Sequence, residues 1–195
     1  MQLESGCWLA CDSRTTGETG RPYHHNLVEK ITERNDYLIA GSGDADACDI
    51  IQHLWKPPKA PRKKKKMYKF VVTEVAPSIK ACLKEKGYEP DKNDKEAGFL
   101  FIIAVGGSIY EIDNTCTVSM REDGIYGIGS GSKYAIGALY SGASYLDALE
   151  IAEKNDIYTG APFKYYEQKK KKRVFSRSLS VKGGIGKKGE GRGGA

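Results

Sequence analysis

The segment Trp8-Leu9-Ala10-Cys11-Asp12-Ser13-Arg14 constrains the fold more than any other part of this sequence. Over residues 6–12, Trp8 and Ala10 alternate against Cys7, Leu9 and Cys11, so both faces of the predicted strand are apolar. The strand ends in an acid and a base, and Thr15, Thr16 and a Gly-rich turn to Gly20 follow. The charges therefore sit at the rim of a core.

Further elements follow by pattern. Val28 to Arg34 alternates apolar and polar residues, Asn35-Asp36 makes a turn, and Tyr37 to Ala40 reads as the next strand. Gly41-Ser42-Gly43-Asp44 forms a turn whose Asp44 caps a helix running to about Trp55, with Ile50, Ile51, Leu54 and Trp55 at helical spacing. Pro57, Pro58 and Pro61 stop that helix, and the charge run Arg62 to Lys66 makes residues 56–66 a basic, Pro-rich exposed loop. Residues 67–87 predict a second helix, which Pro77 can kink, with Phe70, Val71, Val75, Ile79, Cys82 and Leu83 on one face.

A polar loop at 88–97 leads into the apolar strand Phe99 to Val105, a hairpin at Gly106-Gly107, and a strand over Ser108 to Asp113. Short strands are expected at 115–119 and 124–128, helices at 131–141 and 144–154, and a last strand at Pro162 to Glu167. This order of elements indicates an α+β protein.

The chain of 195 residues is long enough for one well-cored domain, assigned here to 1–168. Its net charge of +6 conceals an asymmetry. Residues 56–69 hold eight Lys/Arg and no acid, and residues 169–195 hold ten Lys/Arg against Glu190 alone. The body between them is acidic. The basic runs lack interleaved aromatic residues, so they read as solvated appendages and residues 169–195 as a disordered tail rather than a nucleic-acid site.

No apolar run reaches transmembrane length, and no basic-then-apolar leader opens the sequence. Five scattered cysteines (Cys7, Cys11, Cys48, Cys82, Cys116) suit free thiols in a reducing cytoplasm. His24, His25 and His53 lack metal spacing. Gly127, Gly129 and Gly131 lack the βαβ context that a nucleotide-binding loop requires.

Taken in order, the Trp8–Arg14 segment with Thr15 and Thr16, Val28-Glu29-Lys30-Ile31, Leu38-Ile39-Ala40-Gly41 and Gly127-Ile128-Gly129-Ser130-Gly131-Ser132 resemble the proteasome β-subunit and HslV peptidase family of N-terminal-nucleophile hydrolases. The resemblance runs from about Cys7 to Gln168 with gaps around 56–69. It implies a four-layer αββα sandwich of two antiparallel sheets flanked by helices. The implied activity is threonine-type endopeptidase on unfolded proteins, in a self-associated ring that encloses a chamber and is fed by an ATPase unfoldase.

By the same resemblance, Asp12 and Lys30 form the ion pair beside the nucleophile, and Arg14 braces the turn. Gly41 supplies an oxyanion-binding N–H, Ser130 bonds the terminal amine, and Asp156 and Thr159 complete that network. From spacing alone, Asp12 and Lys30 read as a structural ion pair on two strands and Gly41 as a turn glycine; the order of the motifs reverses the first reading. The resemblance implies no cofactor, but it admits a structural monovalent or divalent cation on the backbone carbonyls of Asn155, Tyr158 and Ala161.

In the family the catalytic Thr is residue one of the mature chain and stands roughly sixteen residues before the acid, because one terminal residue supplies both hydroxyl and amine. Eleven residues precede Asp12 here. The expectation is a nucleophile outside this sequence, on a Thr-led segment encoded about five codons ahead of Met1. Gln2 to Gly6 then read as the tail of a first strand and its turn. The alternative is a catalytically inactive structural subunit of the same fold.

Overall fold

The structure is a computed structural model that describes residues 1–16, 22–24 (backbone), 29–61, 66–89 and 98–169. The expected turn at 17–20, the His25 loop, Val28, the Arg62–Lys65 run, most of the polar 88–97 loop and the basic tail beyond Lys169 lie outside the described residues.

A five-stranded antiparallel sheet forms the centre, in the order β4 (Ile31–Arg34), β5 (Tyr37–Gly43), β6 (Phe99–Val105), β7 (Ser108–Asp113), β8 (Val118–Ser119). A second sheet pairs β1 (Gly6–Cys11) with β9 (Lys164–Lys169), Cys7 against Gln168 and Cys11 against Lys164. A ribbon of β2 (Arg14–Thr16) and β3 (Pro22–His24) stands apart from both.

Helix α1 (Ala45–Asp49) continues as a π turn (Ile50–Leu54), and α2 (Met67–Phe70) continues through a π turn (Val71–Val75) into α3 (Ala76–Glu85). Asp44 caps α1 by accepting from Ala47 N. The second π turn closes at the Ala76-Pro77 step, where Pro77 offers no N–H to a regular helical ladder.

One core fills the space between this helical layer and the central sheet. Val71, Val75, Ile79, Ile51 and Trp55 meet Ile39, Phe101, Ile103 and Ile112 there. A second core lies between the sheets, where Cys7 and Leu9 face Ile31, Leu38, Ile102, Ala104 and Ile109. The opposite face of β1–β9 carries α4 (Ser132–Tyr140) and α5 (Tyr145–Asn155), and Trp8 stacks on Tyr145 at 5.8 Å between ring centres. The result is an αββα sandwich, with the predicted alternation of Trp8 and Ala10 against Cys7 and Leu9 dividing its two inner boundaries.

Three local expectations change. Residues 124–128 join no sheet, because Gly124 (φ 69°) and Gly129 (φ 87°) are left-handed at either end and turn the chain out of strand geometry. Strand β4 begins at Ile31, so Lys30 stands in a bend just before it and not within it. Gly41 is no turn glycine. It lies inside β5, and a Cβ there would come within 2.7 Å of Cys48 Sγ and 3.0 Å of Phe101, so the position demands space and not a positive φ.

Candidate active site

Strand β1 delivers Asp12 one residue past its end, and the chain then turns through Ser13 into β2. The Asp12 carboxylate is held by three donors: Lys30 Nζ to Oδ1 at 2.7 Å, and the backbone N–H of Arg14 (2.9 Å) and of Gly160 (3.0 Å) to Oδ2. Lys30 Nζ also donates to the Arg14 carbonyl at 2.6 Å. Two of its three protons are thus fixed, and the ammonium stands partly buried over the strand end. The register that pairs Ile31 with Ala40, carried one step further, sets Lys30 across from Gly41.

The loop after α5 meets this pair. Ser13 N donates to Gly160 O, Ser13 Oγ to Pro162 O at 2.6 Å, and Arg14 Nη1 to Ile157 O at 2.9 Å. Arg14 lies flat over Gly160, where a Cβ would sit 2.5 Å from its Nε. Arginine and glycine together lock the 156–161 loop onto the β1–β2 turn.

Asp156 is buried and accepts from Thr159 Oγ1 at 2.6 Å and from Ser130 Oγ at 2.7 Å, both on Oδ2. Burial alone would raise its pKa. The two hydroxyl bonds and a backbone N–H bond from Tyr158 outweigh that and hold it below the usual carboxylate range. Gly131 must be glycine for the same reason, since a Cβ there would overlap Thr159 Oγ1. Asn155 ends α5, with its amide donating to Ile151 O; Tyr158 follows half-exposed in the loop, and Ala161 N donates to Glu153 Oε1.

Asp12, Lys30, Gly41, Ser130 and Thr159 border one cavity of about 600 Å³, and Asp156 holds the two hydroxyls from outside its lining. Two cysteines line it as well. Burial, then the neighbouring Asp12, pushes the Cys11 thiol up to about 11, and burial with Asp44 and Asp49 pushes Cys48 up to about 12. Neither is a thiolate at neutral pH.

Sequence reasoning missed Gln52. It is buried on the first π turn, where its Nε2 donates to the Lys30 carbonyl at 2.8 Å and its own carbonyl accepts from Thr32 Oγ1 at 3.3 Å. A glutamine between Ile51 and Trp55 on an otherwise apolar helix face was the available signal, since a buried amide has to bond something. It fixes the backbone of Lys30 where no strand ladder does.

No protein-family profile and no curated protein matches this sequence. Solved structures do match it. A BPH from Thiobacillus denitrificans in complex with epoxomicin is 20% identical, with a TM-score of 0.64 over 86% of this chain and 95% of its own. Eukaryotic HslV from Trypanosoma brucei is 19% identical, with a TM-score of 0.55 over 83% of this chain and 92% of its own. Anbu from Pseudomonas aeruginosa, solved as a helical assembly, is 14% identical, with a TM-score of 0.59 over 87% of this chain and 79% of its own. The chain has the fold of the proteasome β-type N-terminal-nucleophile hydrolases.

Proposed function

We propose that this chain is a subunit of a self-associating threonine-type endopeptidase of the proteasome β/HslV kind, and that Asp12, Lys30, Gly41, Ser130, Asp156 and Thr159 form the proton-handling side of its site. The observation that carries the reading is the joint placement of two networks on one cavity. Asp12 fixes Lys30 by a 2.7 Å ion pair, and Asp156 fixes Ser130 by a 2.7 Å hydrogen bond. Structural ion pairs do not need a second buried carboxylate with two hydroxyl donors at the same opening.

In this reading Lys30 spends two protons on Asp12 and Arg14 and turns the third to a hydroxyl nucleophile, whose ionisation its charge favours. Ser130, whose own proton goes to Asp156, accepts from the nucleophile's α-amine, which takes the hydroxyl proton as general base. The Gly41 N–H receives the oxyanion as the peptide carbonyl is attacked. Arg14 and Gln52 position these groups. A cation on the carbonyls of Asn155, Tyr158 and Ala161 would brace the loop that carries Asp156 and take no part in the proton transfers.

The nucleophile in this proposal enters along the strand that Met1 occupies. Met1 N donates to Trp8 O at 2.6 Å and Trp8 N to Met1 O at 2.8 Å, and Gln2 bridges Cys7. Carried backwards, that register sets the fourth or fifth residue ahead of Met1 beside Asp12 and Ser13. Met1 itself stands some 13 Å short, at about 3.3 Å per strand residue.

Unfolded proteins as substrates, an ATPase that feeds them, and a closed or helical assembly of copies belong to the same proposal, supported by the assembled state of the Anbu relative. So does a reducing cytoplasm, which the five free cysteines suit. No helix among the described residues is long and apolar enough to cross a membrane.

The test is a fluorogenic peptide assay on two forms, one beginning at Met1 and one extended by a Thr-led segment of about five residues. The extended form should hydrolyse the peptide and lose about 10²–10⁴-fold on Lys30→Ala. The Met1 form should stay at background. Turnover by the Met1 form that survives Lys30→Ala would overturn the assignment.

A further inference from the structure

Helix α1 and the π turn after it wall the side of the cavity next to Gly41. A Cβ at Gly41 would come within 2.7 Å of Cys48 Sγ, so this wall begins immediately behind the proposed oxyanion donor. Ala45, Cys48, Asp49 and Gln52 line it, together with Ile31 of β4. Ala45 and Cys48 are small, which leaves width between helix and sheet for a long side chain.

Two acceptors on that wall are unanswered. Gln52 is only 6% exposed and its Nε2 is committed to the Lys30 carbonyl, yet among the described residues its Oε1 accepts no hydrogen bond. Asp49 stands three residues earlier on the same side of the turn, and among the described residues it forms no ion pair. The other charges around the cavity are occupied. Lys30 is paired with Asp12, Glu29 lies 3.8 Å from Lys164, and Arg14 is turned to Ile157 O. Residues 41–55 contain no Lys or Arg that could neutralise Asp49 from its own element. A buried amide oxygen facing a cavity gains most from a donor that the protein does not supply.

We infer that this wall selects a basic residue, arginine above lysine, at the position whose carbonyl is attacked, its cationic head bonding Gln52 Oε1 and the Asp49 carboxylate. The position follows from Gly41. A residue whose carbonyl oxygen sits on the Gly41 N–H has its side chain at the start of this wall, and its methylene stem then lies along Ala45, Cys48 and Ile31. A guanidinium carries its N–H donors on three nitrogens in one plane and reaches both acceptors at once, whereas an ammonium holds its protons on a single nitrogen. Leucine leaves both acceptors unanswered, and glutamate brings a like charge to Asp49. The place of the selected residue in a cleaved chain rests on the peptidase reading above; the cation-binding wall does not.

The wall is tested without catalysis, on the isotope-labelled full chain titrated with n-butylguanidine, which is an arginine side chain alone. The Gln52 side-chain amide resonances should shift saturably, and hexanoate should leave them in place. Asp49→Lys, at an exposed position, should abolish the butylguanidine shift while the spectrum remains that of a folded protein. No saturable shift, or an unchanged one in Asp49→Lys, overturns the wall.

Cleavage is read in the form extended by the Thr-led segment, with acetyl-Leu-Leu-Xaa aminomethylcoumarin peptides in which Xaa is arginine, leucine or glutamate. kcat/KM should favour arginine over leucine by about tenfold or more, and Asp49→Lys should turn the order towards glutamate. Equal hydrolysis of all three overturns the preference and leaves the peptidase standing. A saturable butylguanidine shift with no hydrolysis of any peptide keeps the wall and sinks the peptidase.

Discussion

The two helical layers of this sandwich are built on opposite principles. The layer formed by 45–54 and 67–85 seals its sheet with large side chains: Ile51, Trp55, Val71, Val75 and Ile79 are almost fully buried. The layer formed by α4 and α5 buries only Ala138, Ala148 and Ala152, and leaves Tyr140, Leu146 and Ile151 to solvent. The first layer is a stability device, since each large buried side chain contributes on the order of 1.5–3 kcal/mol. The second trades that burial for room, and the room opens onto Asp12 and Lys30. Packing density and chemistry occupy different halves of the molecule.

Substitutions can test that division. The largest effect is expected at Trp55, which packs edge-on against Tyr37 at 5.6 Å and donates to Ser78 Oγ at 3.0 Å. Trp55→Ala should cost about 3–5 kcal/mol in denaturant unfolding. A cost near that of an exposed site would erase the contrast. Gly131→Ala comes next. The added methyl pushes into Thr159 Oγ1 and should cost about 1–3 kcal/mol through overpacking, while detaching Ser130 from Asp156. A crystal structure of the variant with that bond intact would contradict it.

Asp156 carries the pH dependence. Its pKa is depressed on folding, so its stabilisation is complete above the ordinary carboxylate range and disappears as pH falls through the lowered value. Asp156→Asn should therefore destabilise at pH 7 and converge on the parent protein in acid. Two parallel curves of stability against pH would show that the hydroxyl network does not act through ionisation. The smallest effect is expected on the open face of α5, where Ile151→Ser should change stability by no more than about 0.5 kcal/mol. A larger loss would mean that this face is covered in solution.

The layers were legible because period and burial agree. Alternation around Leu9, the apolar run Phe99 to Val105 and the helical spacing of Val71, Val75 and Ile79 each specify which face turns inward. What escaped the sequence depends on contacts between distant segments. Lys30 leaves its strand because Asp12, Arg14 O and Gln52 claim it, and none of the three is a near neighbour in the chain. The irregular path of 124–128 depends on two left-handed glycines, which look like ordinary turn glycines in one dimension. Gly41 reads as a turn residue until Cys48 and Phe101 are seen pressed against it. The site's residue types were visible, but the distant contacts that fix them were not.

Gln168 gives the two ends of the chain unequal standing. Its side chain accepts from Gly107 N at 2.7 Å and donates to Asp36 O at 2.9 Å, pinning β9 to the hairpin turns at the far end of the sandwich. β9 thus starts beside Cys11, near the charged pair, and finishes at Lys169, about 17 Å away at strand rise. A fluorescent protein or affinity handle fused after Lys169 therefore starts from the end remote from the chemistry. The same handle fused directly to Met1 is steered by the Trp8 ladder along β1 towards Asp12 and Lys30. For anyone labelling, immobilising or tethering this protein, the carboxyl end is the handle and the amino end is the keyhole.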